Sequence, residues 1–330
     1  MSKVAVTGGA GFLGSHIVRR LHAEGREVSV IDDFSSGSVE NLKDLGVSRP
    51  CTVGDLKNYE FAREALRGAE TVFHLAAEVG SVAYLHGSDA RELAALQSNL
   101  SIDVNVFRAC LENGVRNVIY ASSVSVYPID EQMGSRNRFR EEDSERRVKP
   151  EGGYGWAKYI GEKQLALMPG VSVGVARIFH AYGENIYLRP DRSQVIGSLI
   201  RKAIRYPREG FVVWGDGNQR RCFVFVDDAI DAVFRLRDYV ESQGSLTVNV
   251  GSTEETTVRE LAVATVDLSK KPIPLEFDTS KPTGALNRMP DLERIKRVLG
   301  WSPTTSFAKG LERTFRWAEG RLSSGPDRMD

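Results

Sequence analysis

Cysteine is scarce in this chain. Three residues, Cys51, Cys110 and Cys222, lie far apart among 330. Such spacing excludes a disulfide framework and a thiolate metal site, and it suits a reducing compartment. Histidine is equally thin: His16, His22, His74, His86 and His180 form no metal-ligand pattern. An excess of one charge is missing too. The 44 Lys and Arg balance 44 Asp and Glu, so there is no electrostatic footprint for nucleic acid or an anionic membrane. No apolar run reaches membrane-spanning length. The first strand-like run begins at Lys3, which leaves no room for a secretory leader, and the expected location is the cytoplasm. Internal repeats are absent.

What the chain has instead is alternation. Lys3-Val4-Ala5-Val6-Thr7 reads as a buried strand, and 15–25 as a helix with Ile17, Val18 and Leu21 on one face. The next strand is 27–32. Further strands are expected at 71–75, 117–122, 171–177 and 246–250, with helices at 92–114, 154–167 and 225–239. This order predicts an α/β fold: a Rossmann-type doubly wound parallel sheet, with helices on both faces and right-handed crossovers. Later, Pro190, Pro207, Pro272, Pro274, Pro282, Pro290 and Pro303 interrupt shorter elements. They suggest a smaller, mostly C-terminal substrate-binding domain. The expected division is 1–183 plus 225–250 for the sheet domain, 184–224 plus 251–320 for the smaller one, and 321–330 as a disordered tail. The mixed charge run 140–147 reads as a solvated loop, with a mobile flap as the alternative.

Two motifs carry chemistry. The first is Thr7-Gly8-Gly9-Ala10-Gly11-Phe12-Leu13-Gly14, on the first strand-to-helix turn. Gly8, Gly11 and Gly14 leave room for a pyrophosphate, and the amides that open the helix, at Phe12 and Leu13, face its charge. The spacing is Gly-x-x-Gly-x-x-Gly rather than the Gly-x-Gly-x-x-Gly of the standard dinucleotide fingerprint. Asp32 ends the second strand, where a carboxylate accepts from ribose hydroxyls and repels a 2′-phosphate. NAD is therefore expected over NADP. Asp55 and Leu56, after another short apolar stretch, are candidates for the adenine end. Leu75, Ala76 and Ala77 end a strand with small residues that let the backbone approach the cofactor. His74 beside them reads as a core histidine.

The second motif is Tyr154-Gly155-Trp156-Ala157-Lys158, with Ser122-Ser123 upstream. Tyr154 and Lys158 are four residues apart and share a helix face. A free tyrosine has a pKa of about 10, and bringing it to about 7 takes roughly 4 kcal/mol of differential stabilisation. Two nearby cations, Lys158 and an oxidised nicotinamide, can supply that in a low-dielectric site. Ser122 or Ser123 can hold the substrate oxygen as its proton leaves.

With these residues in place, the chain resembles the extended short-chain dehydrogenase/reductase family, whose members act on nucleotide sugars. The resemblance runs nearly end to end. Trp214 to Phe223, then Val226-Asp227-Asp228, resemble the family's segment before its returning helix. Arg288-Met289-Pro290-Asp291 and Leu299 to Pro303 resemble its closing segment. The resemblance implies that Ser123, Tyr154 and Lys158 are catalytic, and that Asn99 organises the site beside the cofactor. It also implies that Arg221 and Arg288 hold the substrate diphosphate, for which guanidinium forks suit. A surface salt bridge is the competing reading for each arginine. His180 stands where most relatives have asparagine; it reads as a polar contact to the substrate or as a satisfied core histidine. Dimerisation through helices 92–114 and 154–167 is implied as well.

For subtype, Val124 and Ser125 replace the Asp-Glu pair of the 4,6-dehydratases, and Ser125 replaces the glutamate of the sugar-acid decarboxylases. Ser-x-Ser-Val-Tyr is similar to many 4-epimerases. Other stretches resemble the GDP-mannose 3,5-epimerase branch, whose cysteine and lysine positions fall on Ser125 and Gln194. Neither serine nor glutamine is a base at neutral pH. The expected activity is an NAD-dependent nucleotide-sugar epimerase working through a transient 4-keto sugar, with inversion at C4. A 3,5-epimerase, a nucleotide-sugar reductase or dehydrogenase, and a silent NAD-binding scaffold are the alternatives.

Overall fold

The computed structural model describes residues 3–47, 51–134 and 138–323. Seven strands form one wholly parallel sheet: β1 (Lys3–Thr7), β2 (Glu27–Asp32), β3 (Cys51–Val53), β4 (Ala69–His74), β5 (Asn117–Ser123), β6 (Ser172–Ile178) and β7 (Leu246–Val250). Their spatial order is β7-β6-β5-β4-β1-β2-β3. The chain winds outward from β1 in one direction, then returns to β4 and winds outward in the other. The reversal leaves a crevice between the carboxyl ends of β1 and β4, where open α/β sheets bind ligands. This is the expected α/β doubly wound fold.

Burial on both faces explains the strand composition. Val4, Ala5 and Val6 are all fully buried. Val4 and Val6 face α1 (Phe12–Ala23) and α4 (Val226–Gln243), packing with Ile17, Leu21 and Phe234. Ala5 points the other way, toward Val106 and Phe107 of α2 (Asp89–Glu112) and Leu165 of α3 (Gly152–Ala166). Helix starts differ from expectation. α1 begins at Phe12 because the glycine-rich turn runs directly into its first turn. α2 begins at Asp89 because the Ser88 side chain accepts from the Arg91 amide.

Three smaller sheets cover the crevice. Ala181–Tyr182 pairs with Val224–Phe225, and Val212–Trp214 with Glu276–Asp278. In the third, Arg220–Cys222 runs between Glu255–Thr257 and Asn287–Arg288, with Arg288 directly beside Arg221. The last helix, α5 (Phe307–Ser323), buries Phe307, Leu311 and Phe315. Arg321 to Ser323 are therefore helical rather than part of a disordered tail, and Arg321 pairs with Asp44. Residues 324–330 lie outside the described ones.

Most of the charge run 140–147 is solvent-exposed, as a solvated loop would be, but the segment is anchored rather than a free flap. Glu141 and Ser144 are buried, and Asp143–Arg146 forms a helical turn. The Glu141 carboxylate accepts from the Asn249 amide at 2.8 Å, and its carbonyl accepts from Arg177 at 2.7 Å. Arg177, 3% exposed, pairs with Glu162 of α3, and Glu162 also accepts from Ser122 Oγ. This network ties α3 to β5, β6 and β7. Replacing Glu162 by leucine would strand the Arg177 guanidinium without its anion. Unfolding free energy, measured by urea titration, should fall by about 3–5 kcal/mol; an unchanged midpoint would show that the pair does not hold the sheet to α3.

Candidate active site

The glycine-rich turn is closed from three sides. Gly8 has φ +66°, and a Cβ there would sit 2.8 Å from the Ala76 amide nitrogen. A Cβ on Gly14 would run into the Gly8 carbonyl. Gly11 caps α1 without any side-chain bond; the Phe12 amide meets the Tyr187 hydroxyl, which leaves the Leu13 amide of the first turn to face an anion. Asp32 braces the turn: its carboxylate accepts from Ala10 and Phe34 amides, each at 2.9 Å. Burial raises its pKa, and those amides oppose the rise. The residues fit a bound dinucleotide, since the cradle is one that any side chain would fill.

Beside the turn opens a cavity of about 490 Å³. Gly8, Gly11, Phe12, Leu13 and Gly14 line one end, with Leu75 and Ala77. Ser123, Tyr154 and Lys158 line its middle. Ser125, His180, Gln194, Arg221 and Arg288 line the rest. Side chains from β5, α3 and the small sheets thus converge on one space. Lys158, Arg192, Arg201, Lys202, Arg221 and Arg288 supply cations, whereas Glu151 is the one carboxylate among the described lining residues. That balance suits a dinucleotide and a diphosphate. No group of His, Cys, Asp and Glu among the described residues could hold a metal ion.

Several expected site residues lie outside the cavity lining, although Asp32 braces the turn and Ala76 packs against Gly8. Asp32, Asp55, Leu56, Ala76 and Asn99 are not among the lining residues. Asp55 accepts from the Lys57 amide, and Leu56 is buried in the core beneath α2. Asn99 spends its amide on Glu78 and Ala95 and thereby positions the loop after β4, in keeping with an organising role. His74 is a core histidine, hydrogen-bonded to Thr7 at 2.6 Å and Asp103 at 3.0 Å.

The two serines separate cleanly. Ser122 Oγ donates to Glu162 at 2.5 Å and serves the buried network. Ser123 Oγ hydrogen-bonds the Tyr154 phenol and accepts from the Ser125 amide at 3.1 Å. Burial pushes the Tyr154 phenol up to about 12, only partly offset by Ser123, and Asp103 adds to the rise. Lys158, fully enclosed, has its Nζ 4.4 Å from the Tyr120 ring centroid. Burial lowers its pKa, against the pull of Asp103 and Glu162. The protein groups around Tyr154 thus leave its pKa raised; an oxidised nicotinamide, when bound, would add positive charge that favours the phenolate.

Arg221 is buried with only carbonyl partners: Arg220, Ala285 and Leu286. Burial, with Arg288 beside it, pushes its pKa down to about 9, so it remains a cation at neutral pH. His180 adopts φ +47° and its shielded Nε2 has no hydrogen-bond partner, which rules out a satisfied core histidine. Burial, then Arg221 and Arg288, hold its pKa well below the ordinary value, so the ring is neutral. Among the lining residues that escaped the sequence reading, two bear on the chemistry. Glu151 lies just ahead of α3, bonded to Ser125 at 3.1 Å and ion-paired with Arg288. Tyr187 reaches over Gly11 and meets the Phe12 amide. No local pattern marks either one.

Residues 4–251 match the pattern of the NAD dependent epimerase/dehydratase family. The chain belongs to that family. It is 28% identical to GDP-mannose 3,5-epimerase of Arabidopsis thaliana, over 97% of this chain and 83% of that one. It is 29% identical to UDP-N-acetyl-alpha-D-glucosaminuronate decarboxylase of Bacillus cytotoxicus, over 94% of this chain and 96% of that one. Among solved structures, UDP-glucose 4-epimerase of Thermotoga maritima with UDP-glucose superposes with a TM-score of 0.84, at 26% identity, covering 97% of this chain and 99% of that one. These members of the family span epimerisation and decarboxylation.

Two outcomes follow for this family member. Gly14→Ala should weaken NAD binding at least about tenfold, read by fluorescence titration of the cofactor; undiminished binding would exclude the turn as its seat. In ultraviolet difference titration without NAD, the Tyr154 phenol should ionise near pH 12. It should ionise at lower pH once NAD is bound, and Tyr154→Phe should remove that transition.

Proposed function

We propose that this protein inverts C4 of a nucleotide-diphosphate sugar, using NAD. The observation that carries the reading is the Ser123–Tyr154–Lys158 group in the same cavity as the glycine-rich turn, with serine at 125. Tyr154, as phenolate, takes the proton of the C4 hydroxyl, and Ser123 holds the oxygen as it becomes a carbonyl. Lys158 keeps positive charge beneath the phenol. The bound dinucleotide supplies a reversible hydride acceptor. Arg221, with carbonyls as its only partners, anchors the diphosphate while the 4-keto sugar turns to present its other face. His180 offers the sugar or diphosphate a neutral imidazole contact, and Gln194 lines the same end.

The likeness to the 3,5-epimerase supports a second reading, in which carbons beside the ketone lose and regain protons. Ser125 and Gln194 are poor bases for it. Although burial raises the Glu151 pKa, Arg288, His86 and the Ser125 hydroxyl together hold it below the usual carboxylate value. That makes Glu151 a weak base for a C–H proton. Reduction or dehydrogenation would consume cofactor instead of recycling it.

We propose a sheet domain, 1–183 plus 225–250, and a substrate domain, 184–224 plus 251–320; the sheets of 212–214 with 276–278 and of 220–222 with 255–257 and 287–288 support it. We place the protein in the cytoplasm, as a homodimer. Exposed Leu93, Val104 and Leu111 on α2, with Trp156 on α3, support the dimer. No helix among the described residues is long and apolar enough to cross a membrane.

Proton NMR of the protein with UDP-, GDP-, CDP- and dTDP-sugars in deuterated water tests the reaction. A C4 epimer without solvent deuterium is expected, and Tyr154→Phe should slow it by about 10²–10⁴-fold. Deuterium at C3 or C5 would replace C4 inversion with the second reading, and net NADH formation would replace both.

A further inference from the structure

We propose that Glu151 sets the charge of the sugar, so that the site takes a neutral hexosyl group and rejects a hexuronate. The inference rests on the nucleotide-sugar reading above and specifies its substrate class.

The reacting carbon is located by Tyr154. From its phenol a short chain of contacts leads to Glu151. Ser123 Oγ bonds the phenol and the Ser125 amide, and Ser125 Oγ donates to the Glu151 carboxylate at 3.1 Å. A substituent on a carbon next to the reacting one therefore points at the Ser125–Glu151 wall. Glu151 is the one carboxylate among the described residues lining the cavity, and its side chain is 12% exposed. It sits at the N-terminus of α3, where the helix favours negative charge.

Its partner sharpens the argument. The ion pair with Glu151 sets Arg288 apart from the diphosphate role that the resemblance implied and makes it the natural receptor for a sugar carboxylate: it lines the cavity, and its Nε has no hydrogen-bond partner. Glu151 already occupies its terminal nitrogen. A hexuronate would have to displace that carboxylate or lie against it, two like charges in a sheltered site. A hydroxymethyl or methyl group meets no such cost, and a hydroxyl there can bond Glu151. Arg221 stays available to the diphosphate, because carbonyls and no carboxylate hold it.

The test is binding and turnover of UDP-glucose, GDP-mannose and UDP-glucuronate by the NAD-loaded enzyme and by Glu151→Gln, with the unfolding midpoint and NAD content of the variant checked. Wild type should bind its preferred neutral nucleotide sugar at least about tenfold more tightly than UDP-glucuronate. Glutamine keeps the shape and the Ser125 contact but frees Arg288. It should tighten UDP-glucuronate about tenfold or more, shifting the ratio toward the acid. Wild type that binds UDP-glucuronate as tightly as a neutral sugar overturns the proposal, with no variant needed. A folded, NAD-replete Glu151→Gln with an unchanged ratio overturns it as well, while leaving the nucleotide-sugar reading in place. Failure of every sugar nucleotide to bind either protein overturns that reading, and the proposal with it.

Discussion

The buried pair between Glu162 and Arg177 is the interaction on which the site depends. Glu162 lies on α3, one turn beyond Lys158, and Arg177 lies on β6. Burying two charges is costly unless every donor and acceptor is met. Here Arg177 also reaches Tyr127 and the Glu141 carbonyl, and Glu162 takes the Ser122 hydroxyl. Tyr127 donates to Asn249 of β7, whose amide donates to Phe139 and Asp291 carbonyls. One satisfied network thereby fixes the helix that carries Tyr154 to the strand that carries Ser123, and draws the chain segment after Arg288 toward them. A hydrogen bond between a serine and a tyrosine from different elements needs that rigidity.

The cavity's lining charges are unequal in number. Lysines and arginines line the space that the glycine-rich turn also lines, and Glu151 is the lone carboxylate among the described lining residues. Lys158 is costly to bury, and the cost is met by Asp103, Glu162 and the Tyr120 ring face rather than by a direct partner beside Tyr154. Burial holds the Tyr154 phenol above its ordinary pKa, and positive charge from a bound oxidised cofactor would oppose that rise.

Much of this was legible in residue order. Strand–helix alternation marked the parallel sheet, because each strand is buried on both faces and each crossover is a helix. Gly8, Gly11 and Gly14 marked the phosphate seat, since close backbone approach leaves no room for a Cβ. Tyr154 and Lys158 marked a shared helix face through their spacing of four. Asn99 staples the loop at Glu78, in keeping with the organising role that the resemblance implied. Composition was a poorer guide elsewhere. The run 140–147 is charged in composition, yet Glu141 is buried because Asn249 and Arg177 lie on either side of it.

By itself, then, the sequence determined the sheet order's character, the cofactor turn, and the tyrosine–lysine pair, all of which follow from periodicity or short-range sterics. Tertiary structure decided which arginine is left without an anion, and where Glu151, the lone carboxylate among the described lining residues, stands. Glu151 and Arg288 lie 137 positions apart. Their meeting is set by how the small sheets pack over the crevice, and no local spacing encodes that.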